Sequence, residues 1–235
     1  MMVKLLGKNG NHHVCGRMSK SPTYLVFGSN GTIGSSCAEL LKKHGQVVCA
    51  NRNFTELQDQ IDQLQNVSGV IWAQGINAAD SIINFDLDVY ENVMDANISY
   101  ILNSLTLLIG AEILKNGSQL VVLSSVWGQL SRPGKLSYAV SKAALGGLVR
   151  SLATDLGPRG IQINAVSPGP IDTPMTLKNL NPKELERVIS ESPIKRLVTL
   201  AEVTSVICDL ARGKFSGVTG QEIMVDGGWS VSKLV

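Results

Sequence analysis

Short apolar segments alternate with helical segments along nearly the whole chain after residue 18, and this alternation constrains the fold more than any other feature. Repeated strand–helix–strand units of this kind build parallel sheets. The sequence therefore predicts an α/β fold, a doubly wound parallel sheet with helices on both faces. The predicted strands lie at 24–27, 47–50, 70–73, 120–123, 161–166 and 223–225.

Helix signals occupy the intervals between these strands. Asn181 followed by Pro182 and Glu184 is a typical helix start, and Thr55 and Thr199 each open a predicted capping box. A chain of 235 residues can form one large α/β domain or two small ones. Because no linker, repeat or low-complexity stretch interrupts it, we predict one domain over 19–235. The other predicted helices span 33–45, 55–65, 89–114 and a segment from Tyr138 to about residue 156.

The first eighteen residues differ from the rest of the chain. They are polar and glycine-rich, they lack the apolar stretch of a signal peptide, and Met18 offers a second start. We therefore predict that 1–18 is an extension outside the core. His12, His13 and Cys15 could bind a metal, but a tail without fixed structure is the favoured interpretation, and no metal cofactor is predicted.

Composition narrows the partners and the compartment. The formal net charge is +2 with no basic block, which argues against nucleic acid or an anionic membrane as the main partner. No apolar run approaches the length of a transmembrane helix. The four cysteines form no CxxC pair, so they are interpreted as reduced thiols of a cytoplasmic protein.

Tyr138 and Lys142 are the leading candidates for chemistry. Four residues apart in a helix, they lie on one face. A nearby ammonium favours the phenolate, so we expect Lys142 to lower the pKa of Tyr138 and allow proton exchange near neutral pH. Ser125, thirteen residues before Tyr138 at the end of a predicted strand, could polarise a substrate oxygen. By itself the pair also fits a buried tyrosine beside a solvated lysine.

A glycine-rich turn joins the first predicted strand to the first predicted helix. Glycines there permit a tight bend, let the backbone approach a pyrophosphate and allow the helix to pack closely on the strand. The helix N-terminus adds unpaired N–H groups for phosphates. A dinucleotide site is the favoured interpretation and a plain tight turn the alternative. The residues concerned are Gly28, Ser29, Asn30, Gly31, Thr32, Ile33 and Gly34.

These motifs, taken in order, resemble the classical short-chain dehydrogenase/reductase (SDR) family over nearly all of the chain after Met18. Ser125, Tyr138 and Lys142 match its catalytic residues in type and spacing, and Asn97 matches the asparagine that completes the tetrad. The resemblance implies a Rossmann-like fold. Within the family the chain looks most similar to 3-oxoacyl-acyl-carrier-protein reductases and secondary-alcohol dehydrogenases.

Further segments carry the same resemblance. Gly28 and Gly34 match the outer glycines of the family's first turn, while Thr32 replaces the middle one and Phe27 replaces its threonine. The stretch 164–173 resembles the loop on the nicotinamide side. The C-terminal signature is matched by 219–221 and 226–228.

The resemblance implies a reaction in which hydride passes between NAD(P)(H) and a small carbonyl or alcohol substrate. Tyr138 would donate or accept the proton, and Ser125 would hold the substrate oxygen. Lys142 would also hydrogen-bond the nicotinamide ribose, and Asn97 would anchor a water that relays protons to it. The further cofactor contacts implied are Asn51, Arg52, Ala73, Gly75, Pro168, Gly169, Ile171 and Thr173.

The cofactor type is indicated at the end of the second predicted strand. An acidic residue there hydrogen-bonds a free ribose 2′-hydroxyl, whereas an arginine accommodates a 2′-phosphate. Asn51 is not acidic and Arg52 follows it, which favours NADPH, with a solvated surface arginine as the alternative. The resemblance also implies a homo-oligomer, a tetramer or a dimer. Trp127 and Met175 flank the presumed substrate side, where they could shape an apolar pocket or merely pack.

Two departures keep other functions open. Residues 72–75 read Trp-Ala-Gln-Gly where the family has Asn-Asn-Ala-Gly, and the interval from Asn51 to Trp72 is short, which suggests a trimmed strand or helix. These changes motivate a second hypothesis, a non-catalytic dinucleotide-binding sensor or scaffold. The Gly-x-x-Gly-x-x-Gly spacing suggests a third, a nucleotide-sugar epimerase or dehydratase, although about sixty residues after Thr173 are few for its substrate domain.

Overall fold

A computed structural model describes residues 21–173, Thr176 and residues 180–232. Six of the strands in this part form one parallel sheet, and β6 and β7 pair separately. The predicted α/β fold with a parallel sheet is therefore confirmed. In chain order the strands are β1 (Thr23–Phe27), β2 (Gln46–Cys49), β3 (Val67–Trp72), β4 (Leu114–Leu123), β5 (Gln162–Pro168), β6 (Ile171–Asp172), β7 (Val198–Thr199) and β8 (Glu222–Val225).

Helices cover both faces of the sheet because successive strand side chains point to opposite faces. The helices are α1 (Thr32–Lys42), α2 (Phe54–Asp62), α3 (Leu87–Met94), α4 (Tyr100–Gly110), α5 (Leu136–Leu156), α6 (Pro182–Glu191) and α7 (Leu200–Ala211). In β1, Leu25 and Phe27 join the core under α2, α4 and α5, whereas Tyr24 and Val26 join the core under α1 and α7. Each face of the sheet therefore buries its own apolar layer.

The order of the strands fixes where a ligand can bind. Across the sheet the order is β2-β1-β3-β4-β5-β8. The chain leaves β1 toward one edge to form β2 and then returns past β1 to form β3 on its other side. Between β1 and β3 the direction of winding reverses, and open α/β sheets bind ligands in the crevice outside the carboxyl ends of the strands at such a point.

The predicted helix over 89–114 differs from the structure. It is divided by a π-helical turn, Asp95–Ser99, and ends at Gly110. Glu112 has a left-handed backbone with φ of 54°, and β4 begins at Leu114. The sequence prediction ran too far because apolar residues at the start of a buried strand continue the pattern of a buried helix.

The same segment corrects the expectation about apolar length. The helical run Leu87–Gly110 has 24 residues and a mean hydropathy of 1.2 in its most apolar window, so by length and composition it could span a membrane. Here Ile101, Leu105 and Leu108 of α4 lie in the core against the sheet. Packing within the fold therefore accounts for part of its apolar residues, whereas Leu87, Val89 and Leu102 are exposed.

Capping residues set the starts of the helices largely as expected. Asn181 and Thr199 each form a capping box, with Glu184 and Glu202 respectively, as predicted. The predicted cap at Thr55 is wrong, because the side chain of Asn53 accepts hydrogen bonds from the first turn and α2 starts at Phe54. The interval from Asn51 to Trp72, which is short for the family, contains one helix, α2, between β2 and β3.

Two of the departures from the family pattern face each other in the sheet. Phe27 at the end of β1 and Trp72 at the end of β3 stack with ring centroids 5.4 Å apart and planes 3° from parallel. The indole N–H of Trp72 donates to the Ser104 hydroxyl at 2.9 Å. An aromatic pair with a satisfied polar atom thus fills the space beneath the crevice.

Several sequence predictions lie outside the described residues. These are the interpretation of 1–18 as an extension, with His12, His13 and Cys15, and the substrate-side position of Met175. The division into one domain over 19–235 stays a prediction.

The glycine turn gives a matched pair of variants. A Cβ at Gly34 would lie 2.2 Å from the carbonyl oxygen of Gly28, whereas a Cβ at Gly31 would lie 3.4 Å from that same atom. Gly34→Ala is expected to lower the free energy of unfolding by about 1–3 kcal/mol, since the backbone must move to relieve the clash. Gly31→Ala should change it by less than about 1 kcal/mol. Urea denaturation measures both, and equal effects would contradict the described turn.

Candidate active site

The carboxyl ends of the central strands bring the predicted site residues to one edge of the sheet. Gly28 follows β1, Gly75 lies just beyond β3, Ser125 lies just beyond β4 and Gly169 follows β5. Tyr138 and Lys142 reach the same edge from α5, because Lys142 donates to the carbonyl of Leu123, the last residue of β4. The edge at which the sheet reverses thus carries both the proposed cofactor residues and the proposed catalytic residues.

The glycine turn at this edge fits a dinucleotide. Gly28 has a φ of +74°, and a Cβ there would lie 2.6 Å from the backbone nitrogen of Gln74, so the two crossing backbones require glycine. Gly31 caps α1 without any side-chain hydrogen bond, and the first turn of α1 holds no acidic residue. Its N–H groups and positive dipole end therefore suit a phosphate. Ser29 and Ile33 are partly buried in this turn, and Asn30 and Thr32 are exposed.

Gln74 is a residue that the sequence reasoning did not assign to the site. Both polar atoms of its side chain are buried and have no hydrogen-bond partner. Leaving such an amide unpaired costs free energy, and an orphaned group of this kind calls for a ligand or other partner. Gln74 follows Ala73, whose N–H donates to the carbonyl of Phe27 at 3.0 Å, so the amide lies at the reversal of the sheet. A bound cofactor could satisfy it.

Tyr138 and Ser125 come together as predicted, but the tyrosine pKa is shifted in the opposite direction from the one expected. Burial raises the pKa of Tyr138 above its ordinary value, and a hydrogen bond with the Ser125 hydroxyl acts against that shift. The Lys142 ammonium lies 5.6 Å from the centre of the Tyr138 ring and donates to the Leu123 carbonyl at 2.8 Å. The Lys142 ammonium bonds the backbone instead of the phenol, and burial decides the direction of the shift.

Lys142 is itself perturbed by its surroundings. Its side chain is 3% exposed, and burial lowers the pKa from the ordinary 10.5 to about 8. The Leu123 carbonyl is its hydrogen-bond partner in the described structure. A buried ammonium without a counter-ion can lose its proton near the pH of the cell, as a proton relay requires.

The structure separates Ser125 from its neighbour Ser124. Ser125 caps a short 3₁₀ turn, Val126–Gly128, by accepting from the N–H of Trp127, and its hydroxyl is the neighbour that acts to lower the pKa of Tyr138. The Ser124 hydroxyl is directed away from the phenol, to the Glu222 carboxylate at 3.1 Å and the backbone carbonyl of Lys142 at 3.3 Å. Ser125 is therefore the serine that faces the phenol, in agreement with the thirteen-residue spacing.

Asn97 lies in the π-helical turn and is 1% exposed. Its amide accepts from the N–H of Ile76 at 2.8 Å and donates to the Ile76 carbonyl at 3.0 Å. It also donates to the Ser141 hydroxyl at 2.9 Å. A Cβ at Gly75 would approach the Asn97 amide oxygen to 2.9 Å and the Lys142 ammonium to 3.5 Å. Asn97 thus fixes the loop after β3 against α5, beside Lys142.

The predicted residues on the adenine side lie just beyond β2. The Asn51 side chain donates to the Glu56 carboxylate, and its backbone accepts from the Tyr100 hydroxyl at 3.1 Å. Arg52 is exposed and forms no ion pair with any described residue. Asn51 is therefore held by its own neighbourhood, while the guanidinium of Arg52 is available to an anion.

The predicted nicotinamide loop borders the opposite end of the crevice. Pro168 ends β5, and the N–H of Gly169 donates to the Val225 carbonyl at 3.0 Å. Ile171 is buried in β6, and the Thr173 hydroxyl lies 3.2 Å from that of Thr176. The loop is thus anchored on β8.

The arrangement can donate a proton to an oxygen held between two hydroxyls. Ser125 and Tyr138 present those hydroxyls, and Lys142 lies behind the tyrosine ring. The turn of Gly28, the α1 N-terminus and the orphaned Gln74 amide fit a dinucleotide along the same edge.

Comparison with known proteins agrees with this geometry. A family model described as enoyl-(acyl carrier protein) reductase matches residues 51–230. The 3-oxoacyl-[acyl-carrier-protein] reductase FabG of Rickettsia typhi is 30% identical over 233 residues, which cover 88% of this chain and 95% of that protein.

Solved structures share the fold. The ligand-free aldohexose dehydrogenase of Thermoplasma acidophilum superimposes with a TM-score of 0.80 at 24% identity, over 92% of this chain and 96% of that one. A gluconate 5-dehydrogenase from Burkholderia cenocepacia, solved with NADP and tartrate, gives a TM-score of 0.80 at 20% identity, over 91% and 97%. At these identities the likeness establishes the shared architecture.

The buried ammonium gives a pH-dependent prediction. Because the pKa of Lys142 is about 8 in the folded chain and 10.5 ordinarily, the unfolded chain binds more protons between those values. The free energy of unfolding of the native protein, relative to Lys142→Met, should therefore rise by about 2 kcal/mol from about pH 7 to about pH 9.5. Below the lower pKa the ammonium is charged in both states and the difference should be flat. Denaturant titrations measure it, and a difference that falls over this range would contradict the burial of a charged Lys142.

Proposed function

This chain belongs to the short-chain dehydrogenase/reductase family, and we propose that Tyr138 is the general acid with which it reduces a carbonyl group at the expense of NADPH. As a member of that family it is an NAD(P)-dependent oxidoreductase that transfers hydride between the cofactor and a carbonyl or secondary alcohol. The observation that carries the proposal is the position of the Tyr138 phenol, which has the Ser125 hydroxyl as a neighbour that acts on its pKa and the buried Lys142 ammonium 5.6 Å from the centre of its ring.

The proposed proton transfer begins at the tyrosine. The substrate oxygen accepts hydrogen bonds from the hydroxyls of Ser125 and Tyr138, which orient the carbonyl and stabilise the charge that develops on its oxygen. Tyr138 gives its proton to this oxygen in reduction and recovers one from it in oxidation. When bound, NAD(P)H supplies the hydride. Burial of the phenol keeps the proton on Tyr138 until charge develops on the substrate, since its pKa is raised.

Lys142 and Asn97 are proposed to restore the proton. In the described structure the Lys142 ammonium donates to the Leu123 carbonyl, and in the loaded enzyme we infer that it also holds the nicotinamide ribose. A cation brought closer to the phenol would oppose the effect of burial on the pKa of Tyr138. Asn97 keeps the loop at Gly75 within reach of Lys142, and we propose that it anchors the relaying water.

The residues proposed to bind the cofactor line the whole carboxyl edge. The turn from Gly28 to Gly34 would hold the pyrophosphate, with Gln74 completing its polar contacts. Arg52 is proposed to bind a 2′-phosphate, because it is a cation without an ion pair in the described part of the chain. The other proposed contacts are Asn51, Ala73, Gly75, Pro168, Gly169, Ile171 and Thr173.

We also propose a class of substrate, a homo-oligomeric assembly and a cellular compartment. The 3-oxoacyl-[acyl-carrier-protein] reductase among the relatives supports a small carbonyl compound as substrate. Leu102 on α4 and Val140 on α5 are apolar side chains that are 41% and 40% exposed. Their exposure supports an interface that would bury them in a homodimer or homotetramer. Cys37 and Cys208 are buried free thiols, and the Cys208 thiol donates to the backbone carbonyl of Cys37 at 3.7 Å, which supports a reducing, cytoplasmic compartment.

One experiment tests the proposed chemistry. NADPH and NADH are titrated into the native protein and Tyr138→Phe, and both proteins are then assayed on a panel of carbonyl compounds. NADPH should bind more tightly than NADH, and Tyr138→Phe should keep its cofactor affinity but lose about 10²–10⁴-fold in kcat, the usual contribution of a general acid.

The control variant in this experiment is Ser124→Ala, since Ser124 faces Glu222 and not the phenol. Ser124→Ala should keep most of the activity. Ser125→Ala should lose activity, as Tyr138→Phe does. A Tyr138→Phe protein as active as the native one would overturn the proposed role. Binding of cofactor without reduction of any carbonyl would support the non-catalytic sensor instead.

A further inference from the structure

A second lysine lies against the catalytic tyrosine. Lys135, at the residue before α5, places its ammonium 5.2 Å from the centre of the Tyr138 ring. It donates to the side-chain oxygen of Asn77 at 2.8 Å, which holds it over the ring. Lys135 is partly buried, so its charge is incompletely solvated. Neither Lys135 nor Asn77 has a part in the chemistry derived above.

The charge of Lys135 is left without a counter-ion. Among the described residues, neither Lys135 nor Arg132 forms an ion pair, whereas Lys42, Arg187, Arg196 and Arg212 each do. The pKa of Lys135 is lowered by burial and by the positive charge of Arg132. Two like charges thus approach each other where one is partly buried, which is unfavourable unless an anion joins them.

The surrounding structure adds to this positive field. Lys135 is at the N-cap of α5 and makes no side-chain capping bond, so its charge lies at the positive end of a 21-residue helix. The nearby carboxylate of Asp80 accepts from the N–H and the hydroxyl of Ser137 and is buried. Asp80 is therefore engaged with the helix and does not form an ion pair with Lys135.

Arg132 lies beside Trp127. Its guanidinium lies 5.5 Å from the centre of the Trp127 ring, and Trp127 meets Trp229 edge to face with centroids 5.7 Å apart. Trp127 follows Ser125 by two residues. The two cations and the indole pair thus lie on the side of the site where the substrate, and not the adenine end of the cofactor, would enter.

We propose that Lys135, oriented by Asn77 and assisted by Arg132, binds a carboxylate on the substrate. The inference rests on the proposed function and specifies its substrate class as short oxo acids or the corresponding hydroxy acids. The carboxylate is placed on a short chain because Lys135 contacts the ring of the catalytic tyrosine itself. An anion paired there lies only a few bonds from the carbonyl held by Ser125 and Tyr138.

The test compares each acid with its neutral ester. Short 2-, 3- and 4-oxo acids and their methyl esters are assayed with NADPH, and the ratio of kcat/KM for acid over ester is measured. The native protein should prefer at least one acid. Lys135→Met should lower that ratio about tenfold to hundredfold, the range expected for a hydrogen bond between charged groups. Most of the loss should be in KM for the acid, and Lys135→Arg should restore most of the ratio.

The control is Lys115→Met, because Lys115 is exposed at the opposite end of β4. It should leave the ratio unchanged. If esters are reduced as well as acids, or if Lys135→Met leaves the ratio as it is, the carboxylate site is wrong while the proposed function stands. The carboxylate site would also be overturned if Lys135→Met slowed the reduction of a phosphate-bearing thioester but of no oxo acid. If no oxo compound is reduced by the native protein, the proposed function fails and the inference fails with it.

Discussion

The close approach of two backbones where the sheet reverses is the constraint on which the site depends. Gly28 after β1 passes so near Gln74 after β3 that a Cβ would lie 2.6 Å from the Gln74 nitrogen. This crossing opens the crevice at the carboxyl edge, turns the N-terminus of α1 toward it and buries the Gln74 amide without a partner. The stacked rings of Phe27 and Trp72 fix the ends of the two strands beneath. The proposed cofactor contacts and the backbone geometry therefore have one origin.

Burial governs the chemistry at the same edge. It raises the pKa of Tyr138 and lowers that of Lys142, so both groups are held toward their neutral forms. Because its pKa is raised, the Tyr138 phenol stays protonated at neutral pH, and we expect it to release its proton only when negative charge develops on the substrate oxygen. The bound cofactor and substrate would supply that charge, which ties the acid–base step to the loaded site. Unpaired Lys135 and Arg132 then give the substrate side a positive field that the tyrosine alone lacks.

Much of this arrangement follows from the sequence, because it depends on local order. The alternation of segments predicts the parallel sheet, and the spacing of Ser125, Tyr138 and Lys142 predicts a site that the structure assembles. Features that depend on contacts between distant parts of the chain do not follow from the sequence in this way. The direction of the Tyr138 pKa shift, the orphaned Gln74 amide and the end of the long helix at Gly110 depend on burial and on backbone conformation. For the orphaned amide, the available signal in the sequence was Gln74 itself, which stands where the family has alanine.

A crystal structure of the protein with NADP⁺ tests the central claim most directly. The account predicts the pyrophosphate over the turn from Gly28 to Gly34 and a hydrogen bond to the Gln74 amide. It also predicts the 2′-phosphate at Arg52 and the nicotinamide beside Tyr138. A cofactor bound away from the reversal of the sheet, or one that leaves the Gln74 amide unpartnered and Tyr138 remote from the nicotinamide, would contradict it.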